Sequence, residues 1–136
     1  MREIKFRGRE ESGHWCYGDV TFTESKERAH IRIRAAGYYP NVEVAPATVG
    51  QYTGLKDADG REIYEGDVIR ICGSNGIVAY GEGEFIVRFE KAPSLLSHCV
   101  GGDFSNPERV TACRVIGNIH DNPELISKCF LKKCGF

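Results

Sequence analysis

The sequence predicts a mainly β protein (α+β, with one short helix), and three observations carry this prediction. Asp59-Gly60 is a strong hairpin signal, because glycine tolerates the positive φ that a tight turn requires. Glu65-Gly66-Asp67 follows as a second break and opens onto the apolar run at 68–71. Extended segments lie on either side of both turns. This pattern is typical of a core built from short strands.

Composition places the chain among folded proteins without a strong overall charge. Its 136 residues fit one domain by the usual prior of roughly 100–200 residues. A hydrophobic content of 41% and a charged content of 27% indicate a folded, soluble chain rather than a disordered one. The net charge of −1 gives no general attraction to nucleic acid or membrane. No apolar run approaches the roughly 20 residues that cross a bilayer. Because the first residues lack a signal-peptide core, we expect a cytoplasmic protein.

The cysteines are expected to be reduced thiols, because a chain without an export signal does not favour disulfides. No two of them have the Cys-x-x-Cys spacing, so neither a zinc ribbon nor a thioredoxin-like motif is supported. We therefore expect no metal and no cofactor. The six are Cys16, Cys72, Cys99, Cys113, Cys129 and Cys134.

Short alternating segments in the first part of the chain predict strands and hairpins. In an opening strand over 2–7, Ile4 and Phe6 would share one face, with Lys5 and Arg7 on the other. A polar turn over 8–13 leads to a second extended segment at 15–17, and the two predict a hairpin. Further strands are predicted over 20–23, 30–34 and 42–44, the last an edge strand that ends before Pro46.

The second half of the chain continues the same pattern. A strand over 67–72 is followed by a tight turn over 73–76 that ends in Asn75-Gly76. Strands over 76–80 and 84–90 are joined around Gly81-Glu82-Gly83, and Phe85, Val87 and Phe89 form an apolar face. Residues 93–106 read as a loop, and 110–119 as a final strand.

A short helix is predicted at the C-terminus. Asn122 can serve as the N-cap, and Pro123 suits the first helical position, where its missing N–H costs nothing. The helix would extend over about 122–133. Its last turn would carry Lys128, Lys132 and Lys133, which complement the negative end of the helix dipole.

Four stretches of the chain together resemble the YopX family, small proteins from bacteriophages and prophages. They are residues 2–8, 15–19 and 49–67, and 115–119 followed by Asn122-Pro123-Glu124-Leu125. The resemblance implies a small SH3-like β-barrel core and a phage or prophage origin, and it brings no catalytic mechanism. The expected organisation is one domain over 1–136. Within it lie an N-terminal β-hairpin extension at about 1–48, a barrel core at about 49–120, and the helix at about 122–133.

Four stretches of the chain allow a chemical interpretation as well as a structural one. Asp57-Ala58-Asp59-Gly60 begins like a calcium loop, but Arg61 falls where an oxygen ligand is needed, so a hairpin tip is favoured. Cys99 follows His98 and precedes Asp103, yet adjacent residues of an extended segment point apart, which favours an inert thiol over a nucleophile.

The remaining two interpretations concern metal and phosphate. Cys129 and Cys134 with the distant His120 only loosely resemble zinc-finger spacing, so thiols on a terminal helix are the preferred interpretation. The segment Gly81-Glu82-Gly83-Glu84 carries two carboxylates that would oppose an anion, and no Gly-Lys-Ser/Thr follows it. It is interpreted as a turn between strands.

The candidate binding surface is the stripe His30, Arg32 and Arg34. These three residues alternate with Ile31 and Ile33, so they would point outward from one strand and contact phosphate or an acidic partner. Lys26 and Arg28 precede them, and Lys5 and Arg7 would extend the stripe if the first strand lies nearby. The alternative is a solvated strand face whose charges protect an edge from aggregation.

Two function classes follow, with a third in reserve. The first is a non-enzymatic phage accessory module that binds a phage or host protein as a homo-oligomer. Its contacts would use exposed aromatics, which are Tyr38, Tyr39, Tyr52 and Tyr64. The second is a nucleic-acid-associated protein that uses Arg32 and Arg34, with binding that weakens steeply in salt. A cysteine-dependent enzyme based on Cys99 is the third and has the least support.

Overall fold

A computed structural model describes residues 3–33, 40–71, 73–81, 83–90, 93–95 and 113–135. The strands are Phe6–Arg9 (β1), Trp15–Phe22 (β2), Ala29–Arg32 (β3), Asn41–Val44 (β4), Gly50–Lys56 (β5), Glu62–Tyr64 (β6), Asp67–Ile71 (β7), Ser74–Gly81 (β8), Glu84–Arg88 (β9), Pro93–Leu95 (β10) and Arg114–Asn118 (β11). One α-helix, Lys128–Lys133 (α1), and two 3-10 turns, Pro46–Thr48 and Pro123–Leu125, complete these segments. The prediction of a mainly β protein with one short helix is confirmed.

The chain divides into two compact units, Met1–Gly54 and Leu55–Phe136. The strands of the first unit pair in the order β4-β3-β2-β1-β5, and each of these pairings is antiparallel. Its core is Cys16, Ala29, Ile31 and Val44, with Phe6, Val20 and Val42 packed against them. These residues are the inward half of an alternating pattern, which is why one face of the sheet is apolar.

Two glycines let backbones approach closely in the first unit. A Cβ at Gly8 would lie 2.6 Å from a methyl carbon of Val44, and a Cβ at Gly18 would run into the carbonyl oxygen of Arg32. The end of β4 also reaches β1, because the Ala45 N–H donates to the Arg9 carbonyl at 2.9 Å. The Thr48 hydroxyl accepts from the Arg9 N–H at 2.9 Å and so fixes the 3-10 turn there.

The second unit begins with the last residues of β5, which form a hairpin with β6. Its main sheet has the order β10-β9-β8-β7-β11. One core cluster is built on Ile63, Ile69, Val78, Phe85 and Val87, with Cys113. A second cluster joins Val68, Ile77 and Ile119 to Ile126 and Phe130, so α1 packs on β7 and β8 through these side chains.

Several predicted boundaries of the first unit differ from the observed ones. The opening strand is Phe6–Arg9 rather than 2–7, because Gly8 and Arg9 pair with Cys16 and Trp15 instead of starting a turn. The predicted segments at 15–17 and 20–23 are one strand, β2, that continues through Gly18. The edge position predicted for 42–44 is confirmed, since β4 ends the strand order of the sheet.

The Asn75-Gly76 turn prediction was wrong. Both residues lie inside β8, and the β7–β8 register closes the hairpin between Ile71 and Ser74. Tertiary contacts override the local turn signal here. The Asn75 amide donates to the Leu125 carbonyl at 3.0 Å, and a Cβ at Gly76 would lie 2.5 Å from Val87.

Two further predictions of the second unit are corrected. Residues 93–95 form β10 against β9 rather than part of a loop, while 96–106 lie outside the described residues. The final strand starts at Arg114, and its predicted part at 110–112 also lies outside them. Phe85 and Val87 are buried as predicted, and Phe89 packs beside them just past β9.

The C-terminal helix begins later than predicted. Asn122 makes no side-chain cap, because its carboxamide oxygen faces the Asn118 N–H at 3.3 Å, and only a 3-10 turn follows. Ser127 caps α1 instead by accepting from the Phe130 N–H at 3.2 Å. Lys132 and Lys133 occupy the last turn as predicted, but Lys128 is the first helical residue.

Among the residues that the structure describes, the two sheets have ends in their strand order and do not form a closed barrel. No described helix combines the length and apolar character needed to span a membrane.

Candidate binding face of the first sheet

Strand register gathers polar and aromatic side chains on one face of the first sheet. Residues directly opposite each other on antiparallel strands share a face, and so do alternate residues of one strand. The pairs Arg9↔Trp15 and Arg7↔Tyr17 join β1 to β2, Asp19↔Arg32 joins β2 to β3, and His30↔Glu43 joins β3 to β4. We call the whole set the arginine–aromatic face: Arg7, Arg9, Trp15, Tyr17, Asp19, Thr21, His30, Arg32, Asn41 and Glu43.

Trp15 positions two arginines of this face. The guanidinium carbon of Arg7 lies 4.6 Å from the centroid of the Trp15 ring, and that of Arg9 lies 6.0 Å from it. A cation over an indole face gains about 0.5–1 kcal/mol at exposed sites and more when water is excluded. Arg7 is only 6% exposed, so its contact is of the stronger kind. Two positive charges are thereby held at defined places on β1.

The accessible part of the face lies on β2, β3 and β4. Tyr17 is 46% exposed, and Arg32 is exposed at the end of β3. Thr21, Asn41 and Glu43 are exposed as well, whereas Arg9, Trp15, Asp19 and His30 are partly buried. The face therefore presents an aromatic ring and a guanidinium to solvent, with shorter polar groups around them.

Positive charge is in excess on this face. Arg28 adds to it at the edge, where its Nε lies 3.8 Å from the Glu43 carboxylate. Both side chains of that pair are well exposed, and such pairs contribute little to stability. With Arg28 counted, four arginines stand against the two carboxylates of Asp19 and Glu43. The excess is two charges, on a chain whose net charge is −1.

The predicted stripe is found in part on this face. His30 and Arg32 lie on the side of β3 opposite to the buried Ile31, as predicted. Arg34 lies outside the described residues. Lys26 sits in the β2–β3 turn with φ of 60° and not on a strand. A binding role for His30, Arg32 and Arg34 stays a prediction.

Other predicted contact residues have different environments. Arg7 is buried under Trp15, and Lys5 is partly buried with its ammonium 5.1 Å from the Tyr52 ring centroid, so the predicted exposed extension of the stripe was wrong. Tyr52 and Tyr64 are 5% and 2% exposed, so they are core residues rather than contact aromatics. Tyr38 and Tyr39 lie outside the described residues.

Sequence reasoning missed the Arg9, Trp15 and Tyr17 part of the face. Its signal was present, because Arg7/Arg9 and Trp15/Tyr17 each have the two-residue spacing of one strand face. Gly8 obscured it by suggesting that the first strand had already ended. Within the sheet, Gly8 is instead the place where Val44 packs against the backbone of β1.

The candidate calcium residues of the second unit serve the fold. Asp57 Oδ1 accepts from the N–H groups of Asp59 and Arg61, each at 2.9 Å, and Oδ2 accepts from the Val115 N–H at 2.9 Å. Burial alone would raise the pKa of Asp57, but these three hydrogen bonds and the charge of Arg61 outweigh it and lower the pKa. Gly60, with φ of 83°, completes the turn, which agrees with the hairpin-tip interpretation.

The proposed zinc ligands Cys129, Cys134 and His120 have three different environments. Cys129 is exposed on α1, Cys134 packs beside Phe130 and its neighbours, and His120 is partly buried near Gly66. In the described part of the chain, no three residues of metal-binding type converge. Cys16, Cys113, Cys129 and Cys134 are free thiols, and burial, with the carboxylate of Glu10, raises the pKa of Cys16. His98, Cys99 and Asp103 lie outside the described residues.

Comparison with known proteins identifies the family. No curated protein matches this chain. Among solved structures, protein EF1440 from Enterococcus faecalis is similar, with 25% sequence identity and a TM-score of 0.58, and the match covers 93% of this chain and 100% of that one. The family model described as YopX protein matches residues 3–127, a range that includes every strand that the structure describes. The chain therefore belongs to the YopX family.

Proposed function

We propose that this protein is a non-enzymatic binding module that engages a protein partner through the arginine–aromatic face. The observation that supports it most directly is the block formed by Arg7 and Arg9 on β1 opposite Tyr17 and Trp15 on β2. Arginine, tryptophan and tyrosine are the residues in which interface hot spots are enriched.

The surroundings of this block also favour a protein partner. Protein interfaces have an anchor of large side chains and a rim of polar groups that remain near water. Tyr17 is the accessible aromatic of the face, and Thr21, Asn41 and Glu43 are exposed polar residues around it. Charges of both signs can each find a complement on a protein surface, whereas a polyanion would meet the carboxylates of Asp19 and Glu43.

The cellular setting is part of the proposal. The family resemblance implies a phage or prophage origin, so the partner would be a phage or host protein met in the bacterial cytoplasm. The element order of the first unit supports a recognition role: a meander, a 3-10 turn, and a fifth strand that pairs back with β1. SH3-like folds follow this order, and SH3 domains are peptide-recognition modules. We therefore propose the SH3-like character for the first unit rather than for residues 49–120.

The test is affinity capture from a lysate of cells that carry the phage or prophage, with matched variants as bait. Tyr17→Ser and Arg32→Glu change exposed residues of the face, and Tyr80→Ser and Arg70→Glu make the same changes on exposed strand residues of the second unit. We expect one protein that is captured by the unchanged chain and by the two second-unit variants and is lost with the two face variants. Capture that is equal for all four variants would contradict the proposal.

A nucleic-acid partner is the second candidate, and the exposed Tyr17 with Arg9 and Arg32 on the same face is the observation that favours it. A base can stack on an exposed aromatic while arginines contact phosphates. Such binding would weaken steeply with salt, because phosphate contacts release counterions. Fluorescence polarisation with single- and double-stranded oligonucleotides at low salt is the measurement. Flat titrations for both would remove this candidate.

We also propose that the chain self-associates. Ile4 and Phe22 of the first unit are 62% and 44% exposed, and self-association would remove such apolar side chains from water. Size-exclusion chromatography with light scattering measures the mass directly. We expect a multiple of the 15.1 kDa chain, and a single 15.1 kDa species over the accessible concentration range would refute self-association.

A further inference from the structure

We propose that the arginine–aromatic face recognises an acidic, extended segment of its protein partner, an inference that rests on the proposed binding function. The first step is charge complementarity. The face and its edge carry the arginines at 7, 9, 28 and 32 against two carboxylates, although acidic residues outnumber basic ones by 19 to 18 over the whole chain. A local positive excess on a slightly negative protein attracts an acidic partner to this face in particular.

The second step is the spacing of the charges. Arg9 lies on β1 and Arg32 on β3, with β2 between them. Two strand spacings separate the two strands by about 10 Å, and their partners on β2, Trp15 and Asp19, are four residues or about 13 Å apart, so the Arg9 and Arg32 backbones are about 16 Å apart on a diagonal that passes Tyr17. In an extended peptide, side chains four residues apart lie on one side at about 13 Å, and the two long arginine side chains have the reach to adjust to that spacing. Carboxylates on one side of such a peptide can therefore meet both guanidinium groups while the chain crosses Tyr17.

The third step is preorganisation. An arginine on an open surface loses rotamer freedom when it binds a carboxylate, and this loss reduces affinity. Arg7 and Arg9 are already held against the Trp15 ring, at 4.6 Å and 6.0 Å, so part of that loss occurs on folding. Arg9, the less buried of the two, can match a carboxylate in paired hydrogen bonds, which lysine cannot reproduce.

An acidic peptide and a nucleic acid both present negative charge, and the two carboxylates of the face distinguish between them. Asp19 lies directly opposite Arg32, and Glu43 lies opposite His30. Each carboxylate would repel a continuous phosphate backbone. Each is also an acceptor that the N–H groups of a peptide backbone can use. The observations therefore favour a protein segment, and a nucleic acid becomes an outcome of the test.

The test uses the full chain and three fluorescein-labelled probes: an oligo-glutamate peptide, an oligo-lysine peptide of equal length, and an oligo-thymidylate. We expect oligo-glutamate to bind with the highest affinity at low salt, and added salt to weaken its binding. The double variant Arg9→Gln/Arg32→Gln should bind it about fivefold more weakly, since it loses two partly exposed ion pairs. Its matched control is Arg70→Gln/Arg114→Gln, which removes the same charge from a facing pair on the second sheet.

Each outcome decides the inference. Weaker oligo-glutamate binding in the face variant alone supports it. No oligo-glutamate binding, equal loss in both double variants, or tighter binding of oligo-thymidylate overturns it. The single variant Arg32→Gln should bind oligo-glutamate about twofold more weakly. Because Arg32 is exposed, this variant tests the inference even if the double variant misfolds. If oligo-glutamate fails while the lysate partner is still lost with Tyr17→Ser, the acidic chemistry is wrong and the proposed binding function stands.

Discussion

Asp57 is a buried carboxylate whose two oxygens both accept hydrogen bonds from the backbone of its own chain. Its two oxygens receive three backbone N–H groups, two from the adjacent turn and one from Val115, which is 58 positions further along the chain. Hydrogen bonds to an ionised acceptor are stronger than neutral ones. An amide at this position would turn an NH₂ group toward at least one of those donors. Asp57 therefore fixes the turn and its contact with β11 together.

Replacing Asp57 with Asn should lower the free energy of unfolding by about 1–3 kcal/mol at neutral pH, the cost of leaving buried donors unsatisfied. The folded-state pKa of Asp57 lies below its usual value of 3.8. Its stabilising contribution is therefore complete above the pKa of the unfolded chain and is lost as pH falls through the folded-state pKa. Urea denaturation of both proteins should show a constant difference from pH 7 to about pH 5, which shrinks at lower pH.

The control for this prediction is Asp59→Asn, two residues away. Asp59 pairs with Arg114 at 3.8 Å, and both side chains are about 60% exposed, so its loss should hardly change the urea midpoint. An Asp57→Asn protein as stable as Asp59→Asn would contradict the role given to the buried carboxylate.

Lys26 occupies a backbone conformation that favours glycine. Its φ of 60° lies in the left-handed region, in a turn closed by the Lys26 N–H to the Thr23 carbonyl at 2.8 Å. Relief of that strain exceeds the entropy cost of glycine by a small margin, so Lys26→Gly should stabilise the protein by about 0.5 kcal/mol. Glu27→Gly, at an exposed neighbour outside the left-handed region, should destabilise it. Equal effects of both variants on the urea midpoint would contradict this prediction.

At the scale of elements, the turn at 57–61 covers the edge of β11. The Ala58 N–H donates to the Cys113 carbonyl at 3.0 Å, Asp57 accepts from the Val115 N–H, and Arg61 Nη1 lies 3.4 Å from the Val115 carbonyl. An exposed strand edge invites pairing with other chains. The central stretch of the sequence thus has a physical role: one of its backbone N–H groups and two of its side chains take the place of a neighbouring strand.

Strand β8 contains two glycines that should differ sharply in their tolerance of a methyl group. At Gly76, a Cβ would lie 2.5 Å from Val87 and 2.8 Å from the ring of Phe89, both packed in the sheet core. At Gly81, the nearest atom is the flexible end of Ile86 at 3.2 Å. Gly76→Ala should cost about 1–3 kcal/mol by overpacking, and Gly81→Ala should cost less than 1 kcal/mol. Thermal denaturation of the two variants measures the difference, and similar melting temperatures would contradict the prediction.

The strands and turns also show which structural features the sequence alone can predict and which it cannot. The alternation around Ile31 and the apolar face of Phe85 and Val87 were predictable, because a period of two can be recognised from neighbouring residues alone. The Asn75-Gly76 and Asn122 predictions failed because those side chains are used by distant or neighbouring backbone groups, Leu125 and Asn118. The prediction that Tyr52 and Tyr64 are exposed was wrong, because burial depends on which strands become neighbours, and the sequence does not show that. The same register brings Arg9 opposite Trp15, a pairing that the spacing of the two segments allows but does not fix.

At the scale of the whole molecule, each hydrophobic core cluster lies within one of the two units. The cluster of Cys16, Ala29, Ile31 and Val44 draws all its members from the first unit, and the clusters of Ile63 and Val68 draw theirs from the second. Among the residues that the structure describes, each unit contains one buried, free thiol, Cys16 or Cys113. A thiol reacts only after its surroundings open, and burial also raises the pKa of Cys16, which keeps it protonated and slow to react.

We predict that Cys16 and Cys113 become accessible to a thiol reagent at different urea concentrations. Cooperative units with separate cores open with their own free energies. Brief maleimide labelling across a urea series, followed by peptide mapping by mass spectrometry, reports Cys16 and Cys113 separately in the unaltered protein. We expect the exposed Cys129 to label without urea, which serves as the internal control for reagent activity. Superimposed curves for Cys16 and Cys113 would mean that one cooperative transition opens both cores. Separate midpoints would mean that the candidate face belongs to a unit whose stability is set by its own sheet.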